Sequence, residues 1–120
     1  MKRWILGGLV AIVLVAMWYS FSSPLRISAD EAKRRIKTHE IDRIVDVRTD
    51  LEVKTLGSYP DAIHIPAGEL PVRAAANLGK NDRILLYCNT GQRARAAAEK
   101  LQSLGYTNVR YIVGSYLSPM

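Results

Sequence analysis

The sequence predicts an α/β domain with a mainly parallel central sheet, preceded by one N-terminal transmembrane helix, and three observations carry that prediction. Short apolar runs at Ile44–Val47, Ile63–Ile65, Ile84–Tyr87 and Val109–Val113 alternate with stretches of helical periodicity. The connections between them are short and marked by Gly, Pro, Asn or Asp. An uncharged run from Trp4 to Leu25, behind Lys2 and Arg3, is long enough to cross a bilayer core.

With that run set aside, a chain of 120 residues holds one domain. A composition of 48% hydrophobic and 23% charged residues is ordinary for a globular chain, and nothing in it signals disorder. The net charge of +6 raises the question of nucleic acid. Without Lys2 and Arg3, 15 basic side chains face 11 acidic ones, and they are not interleaved with aromatics, so no nucleic-acid partner is expected. His39 and His64 are the two histidines and have no metal-ligand spacing; neither a metal nor a cofactor is expected.

The division expected is residues 1–23 as an anchor and 24–120 as the folded domain. Trp18 and Tyr19 sit where an interfacial aromatic belt would lie. A cleaved secretory signal is the alternative, with Ser20-Phe21-Ser22 as a small-x-small pattern. Against it stand the flanking aromatics, the absence of Ala-x-Ala, and Pro24 just downstream. The product is then a single-pass membrane protein. Arg26, Lys33, Arg34, Arg35 and Lys37 favour the cytoplasm for the domain, whereas a signal-anchor reading of Lys2 and Arg3 places it outside. The lone cysteine, which forms no intrachain disulfide, leans to the reducing side; a cleaved signal would make the domain periplasmic or secreted.

Past the linker Ser22-Ser23-Pro24, Ser28-Ala29-Asp30-Glu31 has the form of a capping box opening a helix to about Thr38. Its Lys33, Arg34, Arg35 and Lys37 form a solvated face or meet anionic headgroups. In the strand Ile44–Val47 and just after it, Asp46 and Arg48 are two apart and share a side; they are expected to tie loops at the sheet edge. A helical turn from Leu51 to Thr55 closes at Gly57. Alternation along Ile63–Ile65 sends His64 opposite its two isoleucines. Pro71 suits the first turn of a helix through Leu78, with Gly79 as cap, and Asn81-Asp82 turns the chain into Ile84–Tyr87. The last helix runs to Leu104 and ends at Gly105. It sets Ala94, Ala97, Ala98 and Leu101 on one face, where small side chains allow close approach to the sheet.

Cys88, the single cysteine, stands between that strand and that helix. Helix N-terminal N–H groups lack intrahelical partners and carry the positive end of the macrodipole. A loop folded over them makes an anion nest, in which a thiolate is favoured and to which Arg93 and Arg95 add charge. A tetrahedral oxyanion loop of the tyrosine-phosphatase or arsenate-reductase kind needs an arginine six residues after the cysteine. That position is Ala94, and the loop from Cys88 to Arg93 suits a smaller cradle for one sulfur atom.

Cys88-Asn89-Thr90-Gly91-Gln92-Arg93 resembles the active-site loop of the rhodanese family of sulfurtransferases. Ile44-Val45-Asp46-Val47-Arg48-Thr49 is similar to that family's first signature, and Gly57-Ser58-Tyr59-Pro60-Asp61-Ala62-Ile63-His64-Ile65-Pro66 to its second. Three motifs in order cover the chain from about Ile27 onwards. Ser58 stands where the family often has histidine, Asn89 where arginine often follows the cysteine, and Gly114-Ser115 where a double glycine is common. The resemblance implies a three-layer domain with Cys88 at the bottom of a shallow pocket.

It also implies transfer of a sulfane sulfur from a small anionic donor such as thiosulfate, through a Cys88 persulfide, to cyanide, a thiol or a partner protein. Cys88 is the expected nucleophile. The N–H groups of Asn89, Thr90, Gly91, Gln92 and Arg93 would hold the persulfide, with Thr90 and Gln92 shaping the loop. Arg93 and Arg95 would attract the donor, and Asp46 and Arg48 would support the loop. Two rivals are a membrane-tethered binding module without turnover, and a small phosphatase or arsenate reductase.

Overall fold

In the computed structural model, which describes residues 8–14 and 23–113, five parallel strands form one sheet in the order β1-β5-β4-β2-β3. The strands are β1 (Arg26–Ile27), β2 (Arg43–Asp46), β3 (Ile63–His64), β4 (Arg83–Tyr87) and β5 (Asn108–Ile112). The helices are α1 (Ala29–Lys37), α2 (Asp50–Leu56), α3 (Leu70–Asn77) and α4 (Gln92–Ser103), with a 3-10 turn at Ala67–Glu69.

Alternation along the strands divides the core into two layers. Ile84 and Leu86 of β4 point to one face, packing with Leu70 and Ala74 of α3 and with Ala94, Ala97, Ala98 and Leu101 of α4. Leu85 and Tyr87 point to the other, with Ala32 and Ile36 of α1 and Ile112 of β5. The alanine face of α4 is buried as its spacing predicts. Those small side chains bring its backbone close to β4 and hence to the loop joining them.

Local signals account for most element ends. Ser28 Oγ accepts the Glu31 N–H at 3.0 Å and starts α1. The Glu31 carboxylate turns instead to Arg34 and Arg35, and Arg34 also reaches Glu40, so two of the four basic side chains on this helix are already paired. Thr49 and Glu52 form a full capping box at the start of α2, which closes at Gly57 with φ 75°. Gly105, at φ 96°, ends α4.

Gly79 differs from expectation. Helix α3 stops at Asn77 with Leu78 extended, and the Gly79 N–H donates to Asp82 Oδ2 at 2.8 Å. It shapes the turn into β4 and does not act as a left-handed cap. Strand β1 carries no sequence signal: two residues have no pattern of their own, and only pairing with Tyr111 and Ile112 makes them a strand.

Most of the expected anchor, residues 1–23, lies outside the described residues, as does Gly114-Ser115. Residues 8–14 are helical, with Leu9, Val10, Ile12, Val13 and Leu14 all exposed. Among the described residues no helix is long and apolar enough to cross a membrane.

Candidate functional site

Strands β2 and β4 are neighbours in register, Asp46 beside Tyr87, and the ladder extends one step as the Val47 N–H donates to Tyr87 O at 3.1 Å. The two loops that follow them therefore leave the C-terminal edge side by side, where parallel sheets gather ligands. One loop carries Arg48 and leads into α2. The other carries Cys88 and leads into α4.

Cys88 is a free thiol with no exposed surface. Its Sγ accepts the Gly91 N–H at 3.0 Å and the Ala94 N–H at 3.4 Å. Two donors converging on sulfur are placed to hold negative charge there. The second lies one residue beyond the expected span, because helix α4 starts at Gln92: Gln92 and Arg93 belong to its first turn, and the loop proper is Asn89–Gly91. Thr90 and Gln92 are exposed.

Gly91 is required here for two reasons. Its φ is 88°, and a Cβ at that position would lie 2.9 Å from Val113 Cγ2 and 3.0 Å from Val113 Cα. The turn that aims the N–H at sulfur is thus closed by Val113 after β5. The resemblance implies Cys88 at the bottom of a shallow pocket, and its side chain is buried here.

Beneath the loops, Asp46 and Arg48 form a fully buried pair, Arg48 Nη2 to Asp46 Oδ2 at 2.7 Å and Nε to Oδ1 at 3.0 Å. Arg48 Nη2 also donates to Gly57 O. Tyr87 OH donates to Asp46 Oδ2 at 2.9 Å, and Ser58 Oγ donates to it at 3.1 Å. Tyr87 OH in turn accepts the Tyr59 N–H at 3.0 Å, and His64 Nε2 lies 2.7 Å from Arg48 O. Burial opposes ionisation of Asp46, but hydrogen bonds from Arg48 and Tyr87 outweigh it and hold the carboxyl below its usual range. Burial pushes the Tyr87 phenol upward. Ser58, where the resemblance led one to look for histidine, spans Asp46 and Tyr87, whose oxygens are 2.9 Å apart from each other and 3.1 and 2.9 Å from Ser58 Oγ.

Arg93 does not stand as a free cation. Its guanidinium is bidentate to Glu52, Nη1 to Oε1 at 2.6 Å and Nη2 to Oε2 at 2.9 Å. Asn89 Nδ2 donates to the same carboxylate, and Thr49 contributes its N–H at 3.2 Å and its hydroxyl at 3.0 Å. The Arg93 guanidinium above all holds Glu52 at a pKa of about 2, down from 4.5. Arg95 Nε donates to Glu99 Oε1 at 2.9 Å. Both arginines expected to attract a donor thus face carboxylates.

Sequence reasoning missed Glu52, Tyr87 and Ser58 as partners of the site. The Thr49-x-x-Glu52 spacing is a capping-box signal, and it falls directly after the Asp46–Arg48 motif. Among the described residues no group of three or more His, Cys, Asp or Glu side chains converges as metal ligands.

Residues 28–118 of the chain match the family model of the Rhodanese-like domain. This chain belongs to the rhodanese-like family. A human thiosulfate:glutathione sulfurtransferase is 30% identical over 87 residues, covering 62% of this chain and 75% of that one. YrkF of Bacillus subtilis, which bears the name of a sulfur carrier protein, is 34% identical over 92 residues; this chain spans about half of it, 49%, with 77% of its own length. Among solved structures, the human single-domain sulfurtransferase TSTD1 superposes with a TM-score of 0.69 at 26% identity, over 80% of this chain and 95% of that one.

Proposed function

We propose that this rhodanese-like protein is a sulfurtransferase that carries a sulfane sulfur on Cys88. The observation behind this reading is the pair of N–H groups, from Gly91 and Ala94, aimed at the only thiol of the chain. Relatives named as sulfurtransferases support it. The Cys88 thiolate attacks the sulfane sulfur of thiosulfate; the new S–S bond forms as the bond to the sulfite sulfur breaks, and sulfite leaves with the electron pair. Cyanide, a thiol or a protein thiolate then attacks the outer sulfur, and the Cys88 thiolate is the leaving group. Each step moves one sulfur atom and needs no general acid.

Backbone N–H groups of the loop and helix start stabilise the persulfide anion by fixed dipoles. Arg93, paired with Glu52, and Arg95, paired with Glu99, stand in the first turn of the helix that follows Cys88, and Asp46 and Arg48 support the loop. Ala94 leaves no arginine at the position a phosphate-encircling loop needs, which disfavours a phosphatase or arsenate reductase. The test is thiocyanate formation from thiosulfate and cyanide by the full chain. Cys88→Ser is expected to abolish it, and Arg95→Ala to raise KM for thiosulfate more than it lowers kcat. Full activity in Cys88→Ser would overturn the assignment.

Burial of Cys88 favours a second reading, a non-catalytic docking module on the same fold; absence of sulfur uptake from any donor would select it. We also assign residues 1–23 to a membrane anchor and 24–120 to the domain, on the cytoplasmic side. The exposed apolar helical residues Leu9, Val10, Ile12, Val13 and Leu14 support the anchor, and Arg26, Lys33, Arg34, Arg35 and Lys37 after it favour the cytoplasmic side. Retention of the full chain in membranes through high salt and alkaline washing, and its release on deletion of residues 1–23, is the expected result.

A further inference from the structure

We propose that Glu52 is a specificity-determining positioning residue of the cysteine loop: by pairing with Arg93 and Asn89 it cancels the loop's cationic charge and disfavours anionic reagents at Cys88. This rests on the reading of Cys88 as the sulfur-carrying atom. Glu52 comes from α2, a different element from the loop, and its carboxylate takes hydrogen bonds from both ends of it, Asn89 directly after the cysteine and Arg93 in the first helical turn. The ion pair is not sealed in the core: the side chains of Arg93 and Glu52 are 37% and 23% exposed. It therefore lies where an incoming donor meets the site.

A guanidinium with both η-nitrogens on one carboxylate presents little net charge to a second anion. Thiosulfate, a dianion, must then compete with Glu52 for Arg93, whereas a donor whose sulfane end is less charged meets no such competition. Gln at position 52 removes the charge and keeps the side-chain length. Its one amide oxygen still serves the capping box by accepting from Thr49 in place of Oε1, while the acceptor Oε2 used by Asn89 is replaced by an NH2 donor.

The charge can be read without sulfur transfer, because Cys88 is the single cysteine. The experiment compares rates of Cys88 alkylation by iodoacetate, an anion, and iodoacetamide, its neutral analogue, on the full chain. Glu52→Gln is expected to raise the iodoacetate-to-iodoacetamide rate ratio roughly three- to tenfold, the range one charge exerts over several ångströms near a protein surface. Arg93→Gln, which leaves the carboxylate uncompensated, is expected to lower the ratio by a similar factor. The double variant should return to within about twofold of the parent, and 0.5 M salt should shrink both single effects.

The same logic predicts a lower KM for thiosulfate in Glu52→Gln. Loss of loop shape would instead move both reagents together and send the two single variants in the same direction; either pattern overturns the proposal. Should Glu52→Gln not fold, Arg93→Gln alone decides, since an unchanged or raised ratio there is equally contrary. The alkylation ratios do not depend on sulfur uptake, so failure of charge control and failure of sulfur transfer register in different measurements.

Discussion

Two arginine–carboxylate pairs sit at the same edge of the sheet, and they differ in depth. Asp46–Arg48 is wholly buried, with every side-chain surface removed from water, and Tyr87, Ser58 and the Gly57 carbonyl add hydrogen bonds to it. Glu52–Arg93 has the tighter contact, 2.6 Å, yet it is open to solvent. A buried pair resists losing either partner because the survivor is left charged in a low-dielectric interior. A surface pair contributes little to stability, because water and salt screen it. Similar chemistry thus holds the loop foundations in one place and tunes charge at the site in the other.

The sharpest way to break that contrast is to remove one partner from each pair. Asp46→Ala, which strands the Arg48 guanidinium, is expected to cost about 3–5 kcal/mol in urea unfolding. A loss below about 1 kcal/mol would mean that Arg48 finds other partners and that depth is not what distinguishes the pairs. Gly91→Ala forces a side chain into positive φ against Val113. It is expected to cost about 1–3 kcal/mol and to disturb the Gly91 N–H contact with sulfur, seen as altered Cys88 alkylation. Tyr87→Phe removes the hydroxyl shared by Asp46 and the Tyr59 N–H; about 1–2 kcal/mol is expected from thermal unfolding.

Glu52→Gln should have the smallest effect on stability, below about 1 kcal/mol at neutral pH. Its pH dependence sharpens the comparison. The folded Glu52 ionises with a pKa of about 2 against an ordinary 4.5, so on acidification the unfolded chain takes up this proton first. The contribution of the pair is complete above about pH 4.5 and is lost as pH falls towards 2. The difference in stability between parent and Glu52→Gln is therefore expected to shrink over that window; a constant difference would show that charge is not what Glu52 supplies to the fold.

The contrast also explains what the sequence revealed. Runs such as Ile84–Tyr87 and the small-residue face of α4 announce themselves locally, so the parallel sheet, its flanking helices and the place of Cys88 between strand and helix were legible. Asp46 and Arg48 were legible as a pair because they are two residues apart. The Glu52–Arg93 contact joins residues far apart in the chain. It becomes visible only once β2 and β4 are known to be neighbours, since that adjacency brings α2 beside the cysteine loop. Strand β1 was hidden for the same reason. The close approach of Val113 to Gly91 was hidden too, because it depends on the end of β5 lying beside the cysteine loop.

The most direct test of the central claim is the intact mass of the full chain before and after thiosulfate, and again after cyanide, beside Cys88→Ser. The account predicts a gain of one sulfur atom on the parent alone, removed by cyanide with release of thiocyanate. No gain with thiosulfate, polysulfide or an organic persulfide, or an equal gain in Cys88→Ser, would contradict it.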